Sequence, residues 1–566
     1  MVESRSMNDT FKEGLPIKRA RKEQIFPKLT PAQINRIEVR GRVRTVQKGE
    51  VLVEQGDSAV SFFVVVSGEI EIVRPSGGVE TLIIVHGPGE FTGEVNMLSG
   101  RRAMYRARVI KIGKVIELNR QQLMALIQSD AELGEILIRA FILRRAELLA
   151  SGTGDVVLIG SSNSSSTFRI KEFLMRNGHP YSYIDLERDQ DVQKLLDTFQ
   201  IDPSEIPVMI CQGKFILRNP TNQKIADCLG FNEPVDQTLV RDVVIIGAGP
   251  AGLAAAVYGA SEGLDVLVLD AYSPGGQAGS SSKIENYLGF PTGISGQELA
   301  ARAYNQAQKF GAKILISKGI RLICNRKPYI IEIENGAQIQ TRTIVIATGA
   351  AYRKPQLKNL SNFEGAGVYY GATFLEAQMC TSDEVIVVGG GNSAGQAAVF
   401  LSQTTTKVVH ILIRSGGLAN SMSRYLIRRI EETPNIILHF YTEIIALEGE
   451  HNHLKSVVWR NNQTGKTEEH NISHVFLMTG ADPNTSWLDG CIVLDNKGFI
   501  KTGRDLSIED LDVAEWPLAR QPYLLETSLP GVFAVGDVRG GSIKRVASAV
   551  GEGSIAISFV HQVLQE

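Results

Sequence analysis

No two cysteines in this chain stand close enough to make a C-x-x-C pair. The five, Cys211, Cys228, Cys324, Cys380 and Cys491, are scattered over different segments. That spacing gives neither a disulfide framework nor a zinc site, so buried reduced thiols are expected and no metal ligand is assigned. Long apolar runs are missing too. None reaches the length of a membrane span, and the N-terminus has no signal-peptide pattern, so a cytoplasmic protein with no membrane partner is expected. Charge of one sign is not in excess: 59 Lys and Arg against 61 Asp and Glu leave a formal net charge of −2. That removes the electrostatic ground for a nucleic-acid partner. The basic stretch Lys18, Arg19, Arg21, Lys22 is short and reads as a solvated tail.

What is present is enough chain for several cores. At 566 residues and 43% hydrophobic content, about three to four domains are expected. Residues 25 to 125 read as β-rich. Val43–Val46 alternates, Phe62–Val66 is a β-dense run closed by a Ser67-Gly68 turn, and Glu69–Val73 alternates again. Residues 120 to 150 switch to helical periodicity through Leu123, Leu126, Ile127, Leu133, Ile136 and Leu137. Ser151–Gly154 reads as a linker. A short α/β unit follows, with strand Val156–Ile159, a serine-rich turn, a helix from about Phe168 and strand Tyr181–Ile184. A second linker, Phe231 to Arg241, leads into the rest of the chain.

Two glycine fingerprints dominate that remainder. In the first, strand Val243–Ile246 runs into Gly247-Ala248-Gly249-Pro250-Ala251-Gly252 and a helix. The first glycine allows the tight turn, the second lets a pyrophosphate approach the backbone, and the third lets helix and strand pack closely. The phosphate then meets the positive end of the helix. Asp270 ends strand Val266–Leu269 at the distance where a carboxylate bonds a ribose hydroxyl. In the second, Val385–Val388 runs into Gly389-Gly390-Gly391-Asn392-Ser393. Its partner strand Val408–Ile413 ends in Arg414 rather than an acid, which suits a 2′-phosphate and so NADPH over NADH. Arg424 and Arg428 are further phosphate candidates. Two dinucleotides on one chain imply electron transfer from one to the other.

Residues 241 to 566 resemble the low-molecular-weight thioredoxin reductase family. The markers are Gly275-Gly276-Gln277, Ile284-Glu285-Asn286-Tyr287, Ile346-Ala347-Thr348-Gly349, Gly531–Asp537 and Lys544–Ala547. The resemblance implies FAD on the first fingerprint. Gln277 and Asn286 would lie near the flavin, Gly536 and Asp537 at the ribityl chain, and Arg545, Val546 and Ala547 along the isoalloxazine edge. It also implies an inserted nicotinamide domain at 358–482, closed by Thr479–Asp482, between the FAD-binding segments 241–357 and 483–566. A homodimer follows by the same resemblance. The departure is sharp. Where the family carries its working C-A-T-C, this chain reads Gly371-Ala372-Thr373-Phe374, and Cys380 lies six residues beyond Phe374 with no nearby partner. Of the family's phosphate-binding arginines only Arg414 survives, with Ser415 and Ala419 at the others, which keeps NADH open beside NADPH.

Two more resemblances lie upstream. Residues 155–230 are similar to a thioredoxin/glutaredoxin-like domain, with Ile206-Pro207 at its cis-proline position and Ser164-Ser165-Ser166-Thr167 where its C-x-x-C would fall. Residues 25–150 resemble a cyclic-nucleotide-binding domain, in the glycine turns at Gly49, Gly56 and Gly68 and in a cassette spanning Phe91-Thr92-Gly93-Glu94 and Leu98–Ala103. Glu94 would take the ribose 2′-hydroxyl and Arg102, or Arg101, the cyclic phosphate. The cassette is about one residue short between Glu94 and its arginine, and Ala103 stands where a hydroxyl is usual.

The expectation is therefore a multidomain α/β protein: an N-terminal β-roll with helices, a central thioredoxin-like unit and a C-terminal flavoprotein with two dinucleotide-binding domains. Its expected activity is hydride transfer from NADPH or NADH to FAD, with electrons passing to an unidentified acceptor other than a disulfide. Ferredoxin, flavodoxin, quinones and dioxygen stand on that list by the resemblance. Cyclic AMP or cyclic GMP would gate the reaction. No general acid or base is assigned. Two alternatives stay open, a thioredoxin-disulfide reductase and a redox- or nucleotide-sensing binding protein with little turnover.

Overall fold

A computed structural model describes residues 23–58, 60–76, 79–94, 96–150, 156–162, 164–186, 202, 205–211, 215–404, 407–450, 453–488 and 490–566. The basic stretch Lys18–Lys22 and the linker Ser151–Gly154 lie outside them. The chain clusters into two compact units. One runs to Val156 and takes in Leu229–Phe231; the other holds Val157–Cys211, Phe215–Cys228 and Asn232–Glu566.

The first unit is an antiparallel roll. Strand Arg106–Leu118 is its spine, flanked by Arg42–Val46 on one side and Phe62–Ser76 on the other, with Val79–His86 beyond and Val51–Val53 also pairing to the spine. Phe62–Val66 and Glu69–Val73 are one continuous strand rather than two joined by a turn. Ser67-Gly68 is a bulge within the pairing, where the register slips and Gly68 takes φ +86°. A bulge needs the same glycine conformation as a turn, so the sequence signal is the same for both. Helices Arg120–Ser129 and Ala131–Ala150 close the roll, and Leu123, Leu126, Ile127, Leu133 and Leu137 enter one core with Phe62, Phe91 and Phe141.

In the second unit a four-stranded sheet, ordered Tyr181–Asp185, Val156–Gly160, Val208–Cys211, Phe215–Arg218, carries helix Ser165–Arg176. The helix begins three residues before Phe168 because Ser164 caps it, accepting from the Thr167 N–H. The Ile206-Pro207 bond is cis.

The remainder holds a larger mixed sheet, a smaller parallel one and an antiparallel three-stranded one, Thr442–Glu450, His453–Asn461 and Thr467–His470. The larger runs in the order Lys313–Ile316, Val266–Asp270, Val240–Ile246, Gln338–Ile346, Tyr329–Ile333, Gly319–Ile323, with Val532–Ala534 also on Gln338–Ile346. The smaller runs Val368–Tyr369, Val475–Leu477, Val385–Val388, Val409–Ile413, Ile436–Phe440. The chain crosses from one sheet to the other and back through a short antiparallel pair, Ala350–Tyr352 with Ala481–Pro483. Strands buried on both faces read as unbroken Val/Ile runs, which is why both cores were visible in the sequence.

The cysteine expectation needs a correction. Cys211, Cys228 and Cys380 remain thiols, Cys211 and Cys380 buried and Cys228 partly exposed, but Cys324 and Cys491 form a disulfide across 167 residues. Spacing could not show it, because the partners meet only when an edge strand and the segment returning from the smaller sheet fold together.

Packing at the first glycine turn is the tightest point of the larger sheet. A Cβ at Gly252 would stand 1.8 Å from the Gly247 carbonyl oxygen, and one at Gly247 would stand 2.2 Å from that of Ala347. Backbone cannot give way there, so Gly252→Ala is expected to cost about 2–4 kcal/mol. Thermal melting and visible flavin absorbance of the purified variant check this; a wild-type melt with full colour contradicts it.

Candidate dinucleotide and nucleotide sites

The first turn and Asp270 build one another. The Asp270 Oδ2 accepts from the Ala248 N–H at 2.7 Å, and Oδ1 accepts from Tyr272 and Ser273 N–H, each at 2.8 Å. Burial raises its pKa, and these backbone donors oppose the rise. The carboxylate expected at a ribose thus first fixes the glycine turn, with lone pairs left for a hydroxyl. Gly249 caps helix Pro250–Ser261 without a side-chain bond, leaving amide donors at the helix start. A Cβ on Gly249 would meet nothing nearer than the Gly276 Cα at 3.9 Å, and one on Gly276 would close to 3.0 Å on the Gly249 Cα. The two glycine backbones are in contact, which sets the Gly275-Gly276 loop against the helix start, whose amides suit a pyrophosphate.

The other flavin candidates gather on the same side. Gln277 donates through Nε2 to the Ala350 carbonyl. Thr348 Oγ1 donates to the Asn484 carbonyl at 2.9 Å, and Gly349 accepts from the Asn484 N–H at 3.1 Å. The Gly536 N–H donates to Glu552. Asp537 is partly buried, and burial raises its pKa. Arg545 precedes helix Val546–Gln565, so Val546 and Ala547 offer first-turn amides. Asn286 is exposed; its neighbour Glu285 pairs with Arg429 at 2.7 Å instead.

At the second turn Gly389 takes φ +143°, and a Cβ there would stand 2.6 Å from the Met478 carbonyl oxygen. Gly391 leads into helix Asn392–Thr404. Asn392 Oδ1 accepts from the Ser423 N–H at 2.7 Å, and Ser393 bonds the phenol of Tyr352. Arg414 is exposed just beyond strand Val409–Ile413. Arg428 is exposed and pairs with Glu432 four residues on. Tyr352 was missed by sequence reasoning. It sits on the strand joining the two sheets, bonded to Ser393 and near enough to Asp537 to feel its charge.

The position of the first missing sulfur is partly exposed and has room for a side chain. A Cβ at Gly371 would have only Ser280 at 3.7 Å and the Glu376 carboxylate at 3.9 Å as near neighbours. Glu376 is 3% exposed and accepts from the Thr373 N–H at 2.8 Å. Burial raises its pKa to about 7, and Glu172 of helix Ser165–Arg176 adds like charge. The same helix brings Phe168 within 5.8 Å of the Tyr369 ring, and Arg176 Nη2 donates to the Gly276 carbonyl at 2.5 Å. The central module thus touches both the Gly275-Gly276 loop and the strand leading to Gly371. Cys380 is wholly buried, its Sγ 3.1 Å from the Glu376 carbonyl oxygen; burial raises its thiol pKa and leaves it inert.

In the first unit the cassette is folded but its charges already have protein neighbours. Glu94 is 3% exposed, with Oε2 3.5 Å from Arg145 Nη1. Arg101 lies over the Phe231 ring at 3.9 Å. Arg102 is partly exposed, and its carbonyl accepts from Asn96 Nδ2. The Ala103 N–H donates to the Asp57 carbonyl at 2.9 Å. Arg144 was missed. Its Nη1 donates to the carbonyls of Gly93 at 2.8 Å and Phe91 at 3.1 Å, and burial lowers its pKa to about 10. Its only signal was a pair of arginines in an apolar helix.

A fold with two glycine turns on two sheets, joined by paired crossover strands, defines a two-dinucleotide flavoprotein. Residues 241–553 match the family described as pyridine nucleotide-disulphide oxidoreductase, and this chain belongs to it. Residues 43–130 match the cyclic nucleotide-binding domain. The thioredoxin reductase of Mycoplasmopsis pulmonis is 33% identical over 325 residues, 57% of this chain and 97% of its own length. The NADPH-dependent thioredoxin reductase 3 of Arabidopsis thaliana is 29% identical over 360 residues, 61% of this chain and 64% of its own length. Among solved structures, Lactococcus lactis thioredoxin reductase is similar at 28% identity and TM-score 0.51, over 58% of this chain and 100% of that one. The chain is an oxidoreductase of thioredoxin reductase type, whose family cofactors are FAD and NADPH. Among the described residues no helix is long and apolar enough to cross a membrane, and no cluster could hold a metal ion.

Glu376 gives a pH test. A carboxyl with a raised folded pKa loses stability for the protein as pH climbs from the ordinary 4.5 to about 7. Glu376→Gln removes that loss on the order of 3 kcal/mol. Its melting temperature is expected to gain on wild type steadily from pH 5 to pH 8. A gap independent of pH contradicts the assignment.

Proposed function

We propose that the chain oxidises NADPH through FAD and passes the electrons to an acceptor other than a disulfide in the Gly371–Phe374 loop. The observation that carries this reading is the loop itself, where glycine and phenylalanine stand at both sulfur positions of the related family. Dithiol exchange needs a thiolate and a partner sulfur, and neither is present there. The covering helix Ser165–Arg176 supports the same reading, since it lies against the strand and loop that a docking protein would have to reach.

Bound FAD supplies the hydride-accepting ring. Asp270 and the Gly247–Gly252 turn orient its pyrophosphate, Asp537 and the Val546 amide end fix the opposite part, and Arg414 meets the phosphate of the nicotinamide coenzyme. Tyr352 holds Ser393 beside the flavin side. Glu376, its pKa raised to about 7 by burial, exchanges a proton near neutral pH next to the space that a sulfur would fill. The division into 25–150, 155–230, 241–357 with 483–566, and 358–482, a homodimer, a cytoplasmic location, and gating by cyclic AMP or cyclic GMP belong to the same proposal. Gating requires that the nucleotide bind two states unequally. It must also draw Glu94 and Arg101 away from Arg145 and Phe231.

The second reading is thioredoxin-disulfide reduction, which the names of the relatives favour. Wild-type protein is expected to bleach its flavin with NADPH and to leave thioredoxin disulfide unreduced. Gly371→Cys/Phe374→Cys is expected to take up a second NADPH equivalent per FAD in anaerobic titration, as a restored disulfide would, because position 371 has room for a side chain. Robust turnover by wild type overturns the proposal in favour of the second reading; no bleaching with NADPH or NADH overturns both. Equal bleaching rates with and without cyclic AMP and cyclic GMP remove the gating.

A further inference from the structure

We propose that the Cys324–Cys491 disulfide is a redox site of its own, opened by a dithiol and coupled to flavin retention. Both cysteines are partly exposed beside an apolar cluster, so a thiolate has access to the bond. Cys324 follows the edge strand Gly319–Ile323, whose one sheet neighbour is Tyr329–Ile333. Cys491 ends the short turn after Ser486–Leu488. Its N–H donates to the Leu488 carbonyl at 3.0 Å, and its Sγ lies 3.4 Å from the Leu322 carbonyl oxygen.

The segment that carries Cys491 grips the flavin side at both ends. At its start, Asn484 Nδ2 donates to the Thr348 carbonyl at 2.9 Å and the Asn484 N–H to the Gly349 carbonyl at 3.1 Å. At its end, the Ile500 N–H donates to the Val538 carbonyl at 3.1 Å, and the Ile500 carbonyl accepts from Gly540 at 2.9 Å. Those contacts lie directly after Asp537. Midway, Trp487, Leu488 and Ile492 are buried, and the disulfide ties this stretch to the edge strand. The 167-residue loop it closes contains both crossover strands and the whole smaller sheet. Opening the bond therefore releases the middle of the one segment that braces Thr348-Gly349 and the Asp537 turn together. The bond lies outside the Gly371–Phe374 loop and does not replace the missing pair there.

The chemistry balances with an external dithiol as reductant. Its thiolate attacks one sulfur, forming a mixed disulfide, and the other cysteine leaves as a thiolate that takes up a proton. The second thiol of the reductant then displaces the first cysteine, which is protonated in turn. The protein gains two electrons and two protons and the reductant becomes its cyclic disulfide.

The test uses the full-length holoprotein and dithiothreitol as the probe. Alkylation after denaturation, read by mass, is expected to label three cysteines in untreated protein and all five after native exposure to dithiothreitol. FAD release, read by the fluorescence of free flavin, is expected to rise about fivefold on reduction, the lower end of ordinary site-to-site coupling. Cys324→Ser/Cys491→Ser should behave like the reduced wild type and ignore dithiothreitol; a double variant that retains FAD like the oxidised wild type, or still answers to dithiothreitol, overturns the coupling. Five labels in untreated protein overturn the proposal, as do three labels after native reduction. Five labels after reduction with unchanged FAD release overturn the coupling. The coupling rests on the flavin reading but the labelling does not, so colourless protein with the expected labels would fail that reading alone.

Discussion

Everything downstream in the larger sheet depends on one close contact. Gly252 passes so near the Gly247 carbonyl that no side chain fits between them, and Asp270 pins the turn from the next strand through the Ala248 amide. That contact sets the start of helix Pro250–Ser261, and Gly249 there packs backbone to backbone on Gly276. The arrangement is fixed by packing rather than by rotamers. The second turn repeats the device, with the Met478 carbonyl in the role that Ala347 plays at the first.

Between the two turns lies what distinguishes this chain. Its relatives are named for reducing a protein disulfide, and the loop that would carry the sulfurs keeps its register but not its chemistry. Beside it lies a buried carboxyl, Glu376, to which Glu172 of helix Ser165–Arg176 adds like charge. A buried carboxyl without a counter-charge resolves its desolvation by holding a proton. With its pKa raised to about 7, Glu376 exchanges a proton near neutral pH beside the Gly371 position.

Much of this was legible from residues. Both glycine turns and Asp270 at the end of its strand could be read directly, because a strand, a glycine turn and a helix start are local patterns, whereas the missing pair at Gly371 and Phe374 came from the family resemblance. The long strand Phe62–Ser76 was read as two, since Gly68 serves a bulge as well as a turn. Tyr352, Arg144 and Arg176 were not read at all. Each acts through a contact with residues far along the chain, and nothing in the local spacing of a tyrosine or arginine announces it. The Cys324–Cys491 bond was read wrongly for the same reason, its partners being brought together by a crossover that encloses a whole sheet. The engagement of Glu94 with Arg145 and of Arg101 with Phe231 belongs to this class too, and it turns a simple nucleotide cassette into one whose ligand must compete with the protein's own groups.

The central claim is that electrons stop at the flavin before leaving the protein. Anaerobic titration of the pure yellow protein with NADPH measures this directly, because a flavin alone stores one two-electron equivalent and a flavin in exchange with a disulfide stores two. Complete bleaching at one NADPH per FAD is the predicted result. An endpoint at two NADPH per FAD, with two new thiols appearing in step, would contradict it.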